Sequence, residues 1–277
     1  MGLGFLLDPL QYAFMQRGML AVLLVGAVSG LIGCYVVVRG MAFFGDALAH
    51  SILPGVAIAY IAGGNLFLGG LVAGIGAALG IGWLAREGRI KEDTAIGVVF
   101  AGMFALGIAI ISTARSYSAD LTHILFGDVL GVSDADLLLM LVFGALVVGA
   151  ILIFYKEFLV LSFDAGLAKT LKLPGERLRL LLLALLAVTI VASLQTVGVA
   201  LMVAMLVTPA ATARLLIKRL HHMMVVSGLL GAVSGVVGLY LSFYLNVASG
   251  PAIVLTTTGF FVLAFLLVRV RGRRAGR

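Results

Sequence analysis

Apolar runs recur along this chain from residue 18 to residue 269, each about 18 residues or longer and so able to cross a bilayer as a helix. A segment in lipid has no water for its backbone N–H and C=O groups, so these must bond within a helix or around a closed barrel. The runs are continuous, whereas barrel strands alternate apolar with polar residues. An all-α fold follows, a polytopic transmembrane helical protein. Composition agrees, because 62% of the residues are hydrophobic and only 11% are charged, against about a quarter in soluble domains.

The runs place spans at 18–38, 42–62, 66–85, 94–114, 135–155, 178–196, 199–217, 223–245 and 251–269. That is about nine, or eight if the second is re-entrant. The run after Arg17 reaches Arg39 without a small-residue cleavage pattern, so it reads as a mature span and not as a signal peptide. Cys34 lies within it and is expected to be a small packing residue.

The net charge of +7 raises the question of nucleic acid, and its distribution answers it. Of the 19 Lys and Arg residues, all but Arg17 and Arg115 fall near Arg39 or in 86–93, 156–179, 214–222 and 269–277. These segments alternate with the others on one side of the expected topology. The positive-inside rule makes that side cytoplasmic, with the N-terminus outside and the C-terminus inside. An odd number of spans satisfies this. The tail "RVRGRRAGR" is then an anchor at the lipid headgroups, and no nucleic-acid partner is expected.

Small residues four apart, Gly26/Gly30, Gly70/Gly74, Gly76/Gly80 and Gly231/Gly235, suggest faces for close helix packing. Two connections are longer than turns. Residues 115–133 are expected to hold a short helix on the outer face. In 156–177, Phe163, Leu167 and Leu171 recur every four residues, with Ser162 as a candidate N-cap and Pro174-Gly175 as a stop. This amphipathic helix near 163–173 would lie in the membrane interface or dock a soluble partner.

The polar residues inside the spans are few. Of 12 acids, Asp46 alone lies within an expected span away from its mouth, and of 4 histidines, His50 alone does. The pair stands at i and i+4 on one helical face, roughly 5–6 Å apart at Cβ. A membrane-embedded aspartate costs about 2.5–3.5 kcal/mol on insertion scales, which argues for a cavity or pathway. The plain alternative is a mutual hydrogen bond that satisfies two buried groups. The functional reading is an ion or proton site, since carboxylate and imidazole suit first-row divalent metals. One chain supplies only two such ligands, and a twofold dimer would supply four. Further on, Gln195, Thr208 and Pro209 interrupt apolar helix in 193–214, where a turn near 197 and a proline kink compete with a pathway lining. His123, Asp120 and Asp128 fall in the outer loop and are not assigned to the metal path.

The chain has no G-x-x-x-x-G-K-[ST], H-E-x-x-H, G-x-G-D or G-x-S-x-G. It therefore carries no P-loop of its own, and intramembrane proteolysis has no support.

Four blocks resemble a known family. "RGMAFFGDALAHSILPGVAIAY" (39–60), "LTHILFGDVLGVS" (121–133), "FDAGLAKTLKLP" (163–174) and "TVGVALMVAMLVTPAATARLL" (196–216) are together similar to the membrane permeases of bacterial ABC-type zinc and manganese importers. The resemblance runs over about residues 15 to 270. It implies a fold similar to the vitamin B12 and siderophore importer permeases and a single permease domain over 1–277 that works as a homodimer in the bacterial plasma membrane. It implies a cytoplasmic ATPase docked on a coupling helix near 163–173, with Phe163, Asp164, Leu167 and Leu171 as contacts, and an extracytoplasmic metal-binding protein as donor. It also implies that Asp46 and His50 contact the metal. No permanently bound cofactor is expected, only the transported zinc or manganese ion. Zinc is placed ahead of manganese, because two Asp and two His would make the tetrahedral set zinc favours. The competing reading is an ion- or proton-coupled secondary metal transporter without an ATPase. On neither reading is the chain itself an enzyme.

Overall fold

The computed structural model describes residues 8–86, 90–113 and 128–275. Among these the ordered elements are helices alone. After a 3-10 turn at Pro9–Gln11, the α-helices in chain order are α1 (Ala13–Val38), α2 (Phe44–Ser51), α3 (Leu53–Ile61), α4 (Leu66–Leu84), α5 (Glu92–Ser112), α6 (Asp134–Ile153), α7 (Tyr155–Phe163), α8 (Ala165–Thr170), α9 (Gly175–Leu216), α10 (Leu220–Leu245) and α11 (Ser249–Ala275).

Nine stretches among the described residues are long and apolar enough to cross a membrane. They match the expected spans to within a few residues, with α2 and α3 end to end forming the second, Phe44–Ile61. At 18 residues it is the shortest, rising about 27 Å at 1.5 Å per residue. The sixth and seventh, Gly175–Leu194 and Thr196–Leu216, are the two halves of α9. Near the start of the second half, Gly198 adopts φ 75, ψ 171, a region that essentially only glycine enters. The turn expected near 197 is this residue.

Polar side chains set the ends of several helices. Asn65 precedes α4 and accepts the Leu68 N–H at 3.1 Å. Ser133 and Asp136 form a reciprocal capping box at the start of α6: the Asp136 N–H donates to Ser133 Oγ at 3.2 Å and the Ser133 N–H donates to Asp136 Oδ2 at 3.0 Å. Asn246, at φ 53, ends α10 in the left-handed conformation.

The chain divides into two compact units. One comprises 1–37, 126–144 and 196–277. Within it, glycines let backbones meet. Gly26 lies against Gly231, Gly30 against the Ser227 carbonyl, and Gly33 against the Leu206 carbonyl. Lipid tails are as apolar as the helices, so close packing takes over the role water-driven burial has in soluble cores. Ser227 Oγ also donates to the Gly30 carbonyl at 2.5 Å. Arg214 donates to the Val37 carbonyl at 2.5 Å, placing a cation at the C-terminal end of α1.

The other unit comprises 38–125 and 145–195. Here α3 and α4 cross where Gly55 and Gly69 each face the other's carbonyl. Gly70 and Gly74 receive the Val191 side chain. Gly76 and Gly80 do not continue this packing, since a Cβ on either would have nothing within 4 Å. At the end of α4, Arg179 donates to the carbonyls of Gly82 and Ala85.

Candidate metal site

The site begins with α2, one helix of eight residues. Phe44, Gly45, Ala47, Leu48, Ala49 and Ser51 are buried, which leaves Asp46 and His50 as its partly exposed residues. Asp46 stands in the first turn and His50 in the last. The pair therefore sits toward the Arg39 end of the span, closer to its mouth than a helix starting at 42 would put it. The Asp46 carboxylate also suits the N-terminal end of the helix dipole. After Ser51 the helix breaks at Ile52, and Pro54 enters the first turn of α3. A regular helix would send the residue-54 N–H to the His50 carbonyl, and proline has none. The Ile52 N–H turns back to that carbonyl instead.

His50 Nε2 lies 3.7 Å from Asp46 Oδ1, beyond the roughly 3.2 Å limit of a good N–H···O bond. The side chains are 28% and 40% exposed, respectively. The expected alternative of a mutually satisfied pair is thus not closed by a hydrogen bond. His50 Nδ1 is buried and has no hydrogen-bond partner among the described residues. The imidazole packs instead on α5, with its centroid 5.9 Å from the Phe100 ring and 5.6 Å from the Phe104 ring. Near the start of the same helix, Arg39 Nη2 pairs with Glu92 Oε2 at 3.1 Å.

Chemically, this is one carboxylate and one imidazole on a shared face, with donor atoms free of each other. Among the described residues no group of three or more His, Cys, Asp and Glu converges to hold a metal. An ion here would need further donors from water, backbone carbonyls or a second copy of the chain.

The other candidates fall elsewhere. Phe163 closes α7, and Asp164 leaves helical geometry at φ -148, ψ 95. Its Oδ1 accepts the Leu167 N–H at 2.9 Å, so Asp164 caps α8. Ser162 is not the cap, because α7 runs through it. The expected helix over 163–173 is shortened to Ala165–Thr170. It ends at Lys172, φ 53, with the Leu173 N–H bonding the Ala168 carbonyl at 3.0 Å, so the chain turns before Pro174-Gly175. Phe163, Leu167 and Leu171 are 61%, 45% and 55% exposed, uncovered among the described residues, and the break at Asp164 separates Phe163 from the helix that carries Leu167.

Pro209 is buried within the second half of α9, and beside it the Thr212 hydroxyl donates to the Thr208 carbonyl at 2.7 Å. The Gln195 side chain, His123, Asp120 and the expected outer helix lie outside the described residues. Asp128 is described, and its Oδ1 accepts the Leu130 N–H at 3.1 Å in a local turn. Sequence reasoning missed Phe100 and Phe104. Their i, i+4 spacing was visible, but two phenylalanines in an apolar span carry no signal of which neighbour they meet.

Comparison with known proteins places the chain in one family. The family model described as the ABC 3 transport family matches residues 11–268. The chain is 48% identical over 268 residues to the manganese transport system membrane protein MntC of Listeria monocytogenes, covering 97% of this chain and 95% of that protein. It is 39% identical over 264 residues to the chelated iron transport system membrane protein YfeD of Yersinia pestis, covering 95% and 89%. Among solved structures, PsaBC from Streptococcus pneumoniae in complex with Fab superimposes with a TM-score of 0.82 at 42% identity, covering 94% of each chain. With its span-length helices and its match over almost the whole sequence, the chain belongs to the ABC 3 transport family, as the multi-pass membrane permease of an ABC-type metal importer.

Proposed function

We propose that this permease imports manganese(II) across a bacterial plasma membrane as a homodimer, passing the ion over Asp46 and His50. The observation that carries this reading is the 3.7 Å gap between His50 Nε2 and Asp46 Oδ1. Two ionisable groups share a face within an apolar span and do not satisfy each other. A second copy placing α2 at a twofold axis supplies two carboxylates and two imidazoles.

The order of metals argued from a tetrahedral set is reversed here. Relatives at 48% and 39% identity carry manganese and chelated iron in their names. Carboxylate, carbonyl and water oxygens suit manganese. Iron is the second reading, favoured by the iron-named relative. Secondary transport without an ATPase has no observation in its favour.

ATP hydrolysis falls to a cytoplasmic partner docked on the exposed stripe of Phe163, Leu167 and Leu171, with Asp164 holding α8 in shape. A metal-binding protein delivers the ion from outside. The excess of Lys and Arg in alternate connections supports an inside C-terminus. Gln195, Thr208 and Pro209 are proposed as pathway-lining residues.

The test is uptake of radioactive manganese, iron and zinc in cells carrying the permease with its ATPase and binding protein. Manganese uptake is expected, lost in Asp46→Ala and His50→Ala variants that still reach the membrane. Uptake surviving both substitutions would reject the pair as the metal path, and preferential zinc uptake would restore the original order.

A further inference from the structure

We propose that Phe100 and Phe104 are positioning residues that hold the His50 imidazole by ring packing, in place of the hydrogen-bonded partner a metal-binding histidine ordinarily keeps. This rests on the reading of His50 as a metal contact.

A histidine that ligates a metal almost always donates its other ring N–H to a carboxylate, a carbonyl or water. That partner fixes the ring's rotation and strengthens it as a donor. His50 has no such partner within the described residues: Nδ1 is buried and unbonded, and Nε2 approaches Asp46 only to 3.7 Å. Two phenylalanine rings occupy its surroundings. Phe100 is tilted to the imidazole by 52° and Phe104 meets it edge to face at 74°, both at separations where aromatic pairs attract. Phe100 and Phe104 stack on each other at 5.9 Å, and Phe43 meets Phe100 edge to face at 6.0 Å.

The helix carrying these rings is tied to the segment carrying His50 at two levels. Near its start, Glu92 pairs with Arg39. Further along, Gly107 leaves space for Leu53, the first residue of α3. The histidine χ2 torsion is broad and two-fold, so without a hydrogen bond only packing can select its rotation. An imidazole held this way is oriented but remains a modest donor. That suits a transit site, where an ion must bind well enough to enter and weakly enough to leave.

The experiment uses the whole transporter, the permease with its ATPase and binding protein, in proteoliposomes. Initial manganese uptake is measured against the concentration of loaded binding protein for wild type, His50→Ala, Phe100→Leu, Phe104→Leu, Phe100→Tyr and Phe104→Tyr. The leucine variants are expected to lower the maximal rate about tenfold or more, the effect of losing a supporting partner. The half-saturating concentration should stay unchanged, and the tyrosine variants should recover the rate. On manganese(II)-loaded complex, pulsed electron paramagnetic resonance should show nitrogen modulation from the imidazole. It should be absent in His50→Ala and weakened in both leucine variants. Leucine variants with wild-type nitrogen modulation, whatever their uptake, would overturn the positioning role. If His50→Ala keeps both uptake and modulation, the metal role of His50 fails first and this inference falls with it.

Discussion

Gly26 on α1 and Gly231 on α10 touch through their backbones: a Cβ on Gly26 would lie 2.5 Å from the carbonyl carbon of Gly231. No rotamer relieves that approach, because the atom in the way is main chain. In lipid such contact is a principal source of helix association. The same unit repeats it at Gly30 and Gly33 on α1.

Gly26→Leu is therefore expected to destabilise the permease by at least the roughly 1–3 kcal/mol typical of overpacking. Gly80→Leu, where a Cβ meets nothing within 4 Å, should leave stability unchanged or slightly raised, because glycine costs a helix about 0.5–1 kcal/mol relative to alanine. Thermal unfolding of the two detergent-purified variants checks this. Equal losses from both would mean that the close approach does not decide the packing.

Gly198→Ala tests the break in α9. At φ 75, ψ 171 a Cβ brings strain of the order of 1–3 kcal/mol. Gly102→Ala, in the middle of α5 with open space around it, is the control and should be neutral or stabilising. The expected outcome is a lower melting temperature for Gly198→Ala alone. An unchanged value would show that the chain can pass residue 198 in another conformation.

Leu167→Asp tests the docking stripe. Leu167 is 45% exposed, so the permease's own melting temperature should hardly move. Co-purification of the ATPase subunit should fall at least about tenfold, because a charge placed against an apolar groove costs more than the 1.4 kcal/mol that a factor of ten represents. Asp164→Ala should act more mildly, losing a cap worth about 1 kcal/mol. Full recovery of the ATPase with Leu167→Asp would move the docking surface elsewhere.

The pair proposed to contact the metal stood out in the sequence because polarity is rare in this chain. With one aspartate and one histidine placed inside apolar runs, residue type and spacing alone singled out Asp46 and His50. The limits of the short helix Ala165–Thr170 were harder to read. Ser162 and Asp164 are both good caps, and the choice depended on how far α7 continued. Lys172 ends α8 in a left-handed conformation for which lysine gives no composition signal.

Span number and approximate limits followed from the sequence, because the need to bond every backbone group in lipid converts each long apolar run into a helix whatever its neighbours are. Helix pairing did not follow in the same way. Gly26/Gly30 and Gly76/Gly80 share one spacing, yet the first pair meets another backbone and the second meets open space. Phe100 and Phe104 look like lipid-facing residues until α5 lies beside α2 and their rings close on His50. These choices depend on contacts between residues distant in the chain, and a local periodicity carries no information about which helix will stand opposite.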